Sequence, residues 1–140
     1  MIVYLDASVL VALFTDDASS TRADDFVKNS ALVFHLSDFG AAELASAIAR
    51  KVRTGDIAPE SARSALANFD IWRDRTPVVH ATQGDDILRA ETFIRRLDLN
   101  LRAPDAIHIA IALRLGLTLA TFDERMAACA RGLGLVVADA

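Results

Sequence analysis

The sequence predicts an α/β protein in which a mostly parallel sheet of about five short strands lies between layers of helices, a three-layer α/β/α arrangement. Two observations lead to this prediction. Short apolar runs rich in Ile, Val and Leu alternate along the chain with longer segments of helical periodicity. These runs are continuously apolar, as in strands of a parallel sheet that helices cover on both faces.

The strands are predicted where β-branched and apolar residues are bounded by polar or turn-forming ones. The first run ends abruptly at Asp6, and a later one follows Pro77. The predicted strands span residues 2–5, 32–34, 78–80, 117–120 and 135–137.

The helices are predicted from apolar periodicity together with start and stop signals. Pro59 and Pro104 stand at first-turn positions, where proline is favoured, and Gly116 follows a helix end. The segment 104–115 is apolar nearly all round, so this helix should be central and buried. The predicted helices span residues 7–13, 19–28, 38–53, 59–72, 85–97, 104–115 and 124–131. In the helix at 85–97, the side chains expected to face inward are Ile87, Leu88, Phe93 and Ile94.

Length and composition indicate one folded domain over residues 1–140. A chain of this length buries roughly 68–70% of its unfolded surface, and its 53% hydrophobic content excludes a disordered protein. The single cysteine, Cys129, excludes an intrachain disulfide. No apolar run reaches the ~18–20 residues of a membrane span, and no signal-peptide pattern is present, so a cytoplasmic protein is expected.

The charge pattern argues against a bulk electrostatic grip on nucleic acid, because the formal net charge is −4. Local binding stays open if a metal ion neutralises part of the acidity. Most cations are arginines, with lysine only at Lys28 and Lys51. The planar guanidinium suits phosphate recognition, although ordinary surface arginines explain the pattern equally well.

Acidic residues follow two predicted strands. Asp6 ends the first strand with Ser8 two residues on, and Asp123 follows the strand at 117–120 with Thr121 two residues before it. Each neighbouring hydroxyl could hydrogen-bond its carboxylate and fix its orientation, as metal-binding acids commonly require. The alternative interpretation is that each aspartate simply caps the helix after it.

Asp105 begins the apolar helix at 104–115, where the helix N-terminus favours a negative charge. A charge–dipole contact would explain this residue by itself. However, an acid at the start of a buried helix is costly without a partner. His108 lies one turn on and could bind metal or donate to a carboxylate, but a satisfied core histidine is the more common arrangement.

Glu43 lies within the helix at 38–53, nearly opposite its predicted core stripe. That stripe comprises Ala41, Leu44, Ala45, Ile48 and Val52, and the residues beside Glu43 are Ser46, Ala47, Arg50 and Arg53. The face could be solvated. It could also be the wall of a groove in which a phosphate backbone lies above the small residues and Arg50 and Arg53 bind it.

Together the four acids suggest a cation site. Acids that converge in a cleft repel one another and raise one another's pKa values unless a cation compensates. Carboxylate oxygens without cysteine or clustered histidine favour Mg²⁺ or Mn²⁺ over zinc. Such an ion can activate a water and stabilise charge on phosphoryl oxygens.

Four segments, in this order, resemble the PIN-domain family, and most closely its VapC-type toxins of toxin–antitoxin pairs. They are Tyr4-Leu-Asp6-Ala-Ser8, Ala42-Glu43-Leu44 followed by Arg50-Lys51, Pro104-Asp105-Ala-Ile-His108, and Thr121-Phe-Asp123. The resemblance spans nearly the whole chain. Each motif alone is weak, but four in order at this chain length are specific.

The resemblance implies a PIN-like fold and a Mg²⁺- or Mn²⁺-dependent endoribonuclease. By this similarity the acidic quartet around the metal would be Asp6, Glu43, Asp105 and Asp123, supported by the hydroxyls of Ser8 and Thr121. The family hydrolyses RNA with a metal-bound water and leaves a 5′-phosphate. The resemblance also implies a homodimer and a VapB-type antitoxin that blocks the site.

Other hypotheses fit less well. A phospho-accepting signalling domain would need an acid beside Asp6 and a lysine after a late strand, and a phosphatase would need an acid where Ser8 stands. A binding-only protein that acts with its antitoxin on operator DNA would not need the acids that this chain retains.

Overall fold

The computed structural model describes residues 1–29 and 31–140, which form a mixed α/β fold. Within these residues the sheet has four strands, all parallel, in the order β3-β2-β1-β4. The strands are β1 Ile2–Leu5, β2 Val33–Ser37, β3 Val78–His80 and β4 Thr118–Ala120. The helices are α1 Ala7–Phe14, α2 Ser20–Val27, α3 Asp38–Arg53, α4 Pro59–Arg75, α5 Gly84–Ile94, α6 Ala103–Leu115 and α7 Glu124–Gly132.

Strand β1 lies inside the sheet and is covered on both faces. Val3 and Leu5 pack with α1, α3 and α4, whereas Tyr4 packs on the opposite face with α6 and α7. All three side chains are fully buried. The α/β prediction and its helix–sheet–helix layering are therefore confirmed, since successive side chains of a strand point to opposite faces.

The carboxyl ends of the parallel strands lie at one edge of the sheet. Strand β1 is in register with β2 and β4, with Tyr4 beside His35 and Leu5 beside Ala120. The residues that follow these strands are consequently brought to the same edge, which is where open α/β sheets place their ligands.

The predicted fifth strand at 135–137 is wrong. Val137 makes an isolated parallel bridge with Leu119, and the pairing does not extend into a strand. Strand β4 itself is only three residues long and leads directly into the turn before α7, so it offers little length for pairing. The segment still covers this edge of the sheet, because Leu119 donates to Val136 at 2.9 Å and accepts from Ala138 at 2.8 Å.

Helix α6 is central, as its apolar sequence predicts. Six of its side chains are buried, and it ends at Gly116, whose φ of 66° lies in the left-handed region. None of the helices described is both long and apolar enough to cross a membrane.

The inward face of α5 differs in part from the prediction: Phe93 and Ile94 pack inward as predicted, whereas Ile87 and Leu88 do not. Ile87 and Leu88 are 47% and 62% exposed, while Asp86 and Ala90 point inward. Ala90 packs against Ala106 and Ala110 of α6, and these small side chains let the two helices approach closely. The inward face therefore keeps two of the predicted residues but includes Ala90 in place of Ile87 and Leu88.

Asp86 tolerates burial because Arg114 binds it with two hydrogen bonds. The guanidinium donates from Nε to Oδ1 at 2.7 Å and from Nη2 to Oδ2 at 2.9 Å, while the Gln83 N–H donates to Oδ2 at 2.8 Å. Burial by itself would raise the pKa of Asp86, but the hydrogen bonds and charge of Arg114 outweigh it and hold this pKa below its ordinary value. The pair joins the start of α5 to the end of α6.

Replacing Arg114 with Met should lower the free energy of unfolding by about 2–4 kcal/mol, because a buried carboxylate would lose its cation. Urea denaturation at neutral pH measures the loss. The matched control is Arg95→Met, whose ion pair with Glu91 is exposed and should cost about 1 kcal/mol or less. Equal losses in the two variants would contradict the role of the buried pair.

The Arg114 effect should also depend on pH. A folded-state pKa below the unfolded value means that the pair stabilises the protein above the ordinary carboxyl pKa, and that this stability disappears as the pH falls through the lowered value. The difference between wild type and Arg114→Met should therefore be constant near neutrality and shrink in acid.

Candidate active site

Asp6 stands at the carboxyl end of β1 and is 3% exposed. Its Oδ1 accepts hydrogen bonds from Ser8 Oγ at 2.6 Å and Val9 N at 3.2 Å, and its Oδ2 accepts from Thr121 Oγ1 at 2.7 Å. Asp6 is thus the N-cap of α1. The helix-cap interpretation and the sheet-edge interpretation of Asp6 are therefore both correct, because the same carboxylate caps α1 and lies at the end of β1.

The hydroxyl of Thr121 supports a different acid from the one that its sequence position suggests. It donates to Asp6, not to Asp123, and accepts from the Asp123 backbone N–H at 3.1 Å. Ser8 also accepts from the Phe122 N–H at 2.9 Å. Strand pairing brings β1 and β4 side by side, so the two hydroxyls meet around Asp6.

Asp105 lies in the electrostatic field of two other acids of the predicted site. Burial raises the pKa of Asp6, and it also raises the pKa of Asp105, with further contributions from the charges of Asp123 and Asp6. The charge of Arg125 acts in the opposite direction on Asp105. A carboxylate whose pKa is raised by neighbouring carboxylates lies where a cation would be stabilised.

Asp105 lies in the first turn of α6, with its side chain 19% exposed. Arg125 of α7 approaches it, with Nη2 at 3.4 Å from Oδ2. The sequence gives little indication of this arginine beyond its position two residues after Asp123. It supplies one positive charge beside the acids.

Glu43 and Asp123 line a groove of about 500 Å³, together with Ser8 and Ala47. Asp123 also caps α7 through a 3.0 Å bond from the Met126 N–H. Glu43 and Ala47 of this face therefore line the groove, while Ser46 and Arg53 are exposed to solvent. Ala45, predicted to lie in the core stripe, is exposed instead.

Glu43 is held from the side of the core by His108. The imidazole Nε2 lies 2.6 Å from Glu43 Oε2, and His108 is only 2% exposed. The sequence favours a satisfied core histidine at this position. The structure shows a buried histidine that is satisfied in part by an acid of the groove.

A second cavity, of about 320 Å³, continues along α3 and shares Ala47 with the first. Arg50 and Lys51 line it, so two cations follow the acidic end of the groove. Arg53 is exposed on the same helix and, among the residues described, is not part of the lining of either cavity. Lys51, which the sequence interpretation leaves without a role, is partly buried there.

Glu43 and Asp123 thus line one groove, and the charges of Asp123 and Asp6 reach Asp105. Among the residues described, no three His, Cys, Asp or Glu side chains are arranged as a metal-binding group. The donors that the predicted site offers are carboxylate oxygens. This donor set fits Mg²⁺, which keeps several waters and takes few protein ligands, better than it fits zinc.

Comparison with known proteins identifies the family. The PIN-domain family model matches residues 3–132. Ribonuclease VapC46 of Mycobacterium tuberculosis is 30% identical over 138 residues, which cover 96% of this chain and 95% of the relative.

Solved structures share the fold. The crystal structure of Mycobacterium tuberculosis VapC20, described as a sarcin-ricin loop cleaving toxin, has a TM-score of 0.76 at 21% identity and covers 97% of this chain and 98% of its own. Rickettsia felis VapBC2, bound to a DNA fragment from its promoter, has a TM-score of 0.68 at 15% identity and covers 99% and 98%. Because the family model and the curated relative both span nearly the whole chain, this protein belongs to the PIN-domain family, among its VapC-type ribonuclease toxins.

Proposed function

We propose that this protein is a Mg²⁺- or Mn²⁺-dependent endoribonuclease that hydrolyses RNA phosphodiester bonds in the groove between α1, α3 and the turn before α7. The observation that carries the proposal is that the charges of Asp123, which lines this groove, and of Asp6 both raise the pKa of Asp105. The likeness to a protein named a ribonuclease supports the reaction type.

Asp6, Glu43, Asp105 and Asp123 would hold the cation. Bound there, it would lower the pKa of a water and stabilise negative charge on the phosphoryl oxygens. Ser8 and Thr121 orient Asp6 by donating to both of its oxygens. Their hydrogen bonds favour the charged form of Asp6 and so offset part of the cost of its burial.

The substrate would run from the acids towards Arg50 and Lys51. These cations lie in the cavity that adjoins the acidic groove, at a place suited to backbone phosphates. Local cations are required because the chain as a whole carries a formal charge of −4. Arg53 lies on the exposed part of the same helix, and its role in RNA binding stays a prediction.

The partners proposed are a VapB-type antitoxin and a second copy of the chain. The solved VapBC2 complex, which shares this fold, supports a toxin–antitoxin assembly. An antitoxin segment laid in the groove would cover the acids, and a cationic side chain there would pair with them.

A binding-only role on operator DNA is the second candidate, because VapBC2 is described as bound to promoter DNA. The two candidates differ in the need for the acids. A binding-only protein would lose nothing when Asp6 is changed to Asn, provided that the variant folds.

Each of the variants Asp6→Asn, Glu43→Gln, Asp105→Asn and Asp123→Asn should reduce RNA cleavage by about 100-fold or more, because each removes charge that stabilises the transition state through the cation. Cleavage of total cellular RNA with Mg²⁺, mapped by sequencing the new 5′ ends, measures the rate and the sites. Glu60→Gln, an exposed acid on α4, is the matched control. A variant that cuts at the wild-type rate would remove its residue from the site.

Asp6→Asn should raise the melting temperature of the metal-free protein at pH 8. Burial raises the folded-state pKa of Asp6, so this residue favours folding below the unfolded pKa, and that contribution is lost as the pH rises through the folded value. The uncharged amide avoids this loss. The gain should shrink towards pH 4 in thermal scans, and a gain that grows in acid would contradict the assignment.

Arg50→Ala should weaken RNA binding. It should also reduce the slope of log affinity against log salt by the amount that about one phosphate contact contributes. Binding is measured with the Asp6→Asn variant, so that the RNA is not cut. Arg63→Ala, an exposed arginine on α4, should leave the slope unchanged. If both replacements have the same effect, Arg50 is an ordinary surface arginine.

A further inference from the structure

A buried series of hydrogen bonds connects the start of α3 to the acid in its middle. Gly40 N lies 3.0 Å from Ser37 Oγ, which lies 2.8 Å from Tyr4 Oη. Tyr4 Oη lies 2.7 Å from His108 Nδ1, and His108 Nε2 lies 2.6 Å from Glu43 Oε2. Ser37, Tyr4 and His108 are at most 2% exposed, so bulk water cannot replace these bonds.

The proton positions follow from the partners. The Glu43 carboxylate only accepts, so His108 Nε2 carries a hydrogen. Ser37 Oγ already accepts from Gly40, and its own proton needs an acceptor. In the part of the chain that the structure describes, Tyr4 Oη is the side-chain acceptor within reach.

If Ser37 donates to Tyr4, then Tyr4 donates to His108 Nδ1, and every proton has a partner. The reverse order, with a doubly protonated imidazole donating to Tyr4, would leave the Ser37 proton buried and unpaired, which costs free energy. Burial also raises the pKa of Tyr4 above its ordinary value, so the phenol keeps the proton that it donates. This order of donors places a ring hydrogen on Nε2, where it is directed at Glu43.

We propose that His108 is a positioning residue, oriented by Tyr4 and Ser37, which donates from Nε2 to one oxygen of Glu43 and leaves the other oxygen to the groove. The consequence for metal binding rests on the proposed function. The geometry of the series does not, because it lies within the metal-free protein.

The arrangement couples Glu43 to Asp6 through a single strand. Tyr4 and Asp6 lie two residues apart on and just after β1, so the strand that places Asp6 at the sheet edge also places the phenol that orients His108. The Phe39 ring packs against the imidazole, with ring centroids 5.1 Å apart, and restricts its rotation. The two acids are thereby set relative to each other by core packing.

The first test is the tautomer itself. Long-range ¹⁵N–¹H correlation spectra of the metal-free protein at neutral pH report which ring nitrogen carries hydrogen. The chain has three histidines, and the His108 signals are those lost in His108→Gln. We expect the Nε2–H form in the wild type and a mixture in Tyr4→Phe. A doubly protonated or Nδ1–H ring in the wild type would overturn the inference.

The second test is Mn²⁺ binding by titration calorimetry. His108→Leu should weaken it about 10–100-fold, as is usual when a partner of a metal-binding carboxylate is lost. His108→Gln should restore most of the affinity, because its amide N–H can reach Glu43. His80→Gln, in the histidine pair with His35, is the control and should bind like wild type. A folded His108→Gln that binds as weakly as His108→Leu would reduce His108 to a packing role.

The outcomes separate the two proposals. If wild type and His108→Leu bind Mn²⁺ equally, the positioning role fails and the proposed function stands. If the wild type neither binds Mn²⁺ nor cleaves RNA, the proposed function fails, while the tautomer of the metal-free protein still decides the hydrogen-bond series. Should His108→Leu not fold, Tyr4→Phe replaces it, with a smaller loss of affinity expected and an unchanged affinity contradicting the inference.

Discussion

The burial of Asp6 at the end of β1 is the constraint on which the candidate site depends. A carboxylate that is 3% exposed is costly, and this one is stabilised by the N–H of Val9 and the hydroxyls of Ser8 and Thr121. These donors come from the start of α1 and the end of β4. The acid can therefore occupy its position only when the neighbouring strand is paired and the helix has begun, so the site forms together with the centre of the sheet.

The other buried polar side chains follow the same principle. Among the residues described they are Asp6, Ser37, Asp86, His108 and Thr121, and no buried side-chain nitrogen or oxygen lacks a hydrogen-bond partner. All except Asp86 belong to the network around the acids of the groove. Asp86 pairs with Arg114 near the far end of α6, whose first turn carries Asp105. The central helix thus has an ion pair near one end and an acid of the candidate site at the other.

Local sequence signals were sufficient to predict a strand or helix whose pattern depends on that element alone. The apolar run before Asp6, the proline and glycine at the ends of α6 and its apolar surface led to the observed strand and helix. These signals failed where packing against a neighbouring helix or strand determines the structure. Close packing of alanines between α5 and α6 turned Asp86 inward and left Leu88 exposed. Because β4 is short, Val137 pairs with it through a single bridge to Leu119 and does not form a strand.

By itself the sequence determined the α/β class, the order of its elements and which acids follow strands or begin helices, because these depend on periodicity and on local capping. Only the tertiary structure decided which side chains meet. Thr121 contacts Asp6, which lies 115 positions away in the chain, and His108 contacts Glu43, which lies 65 positions away. Such contacts depend on strand register and helix packing, and a hydrogen bond between distant residues leaves no spacing that a single sequence can reveal.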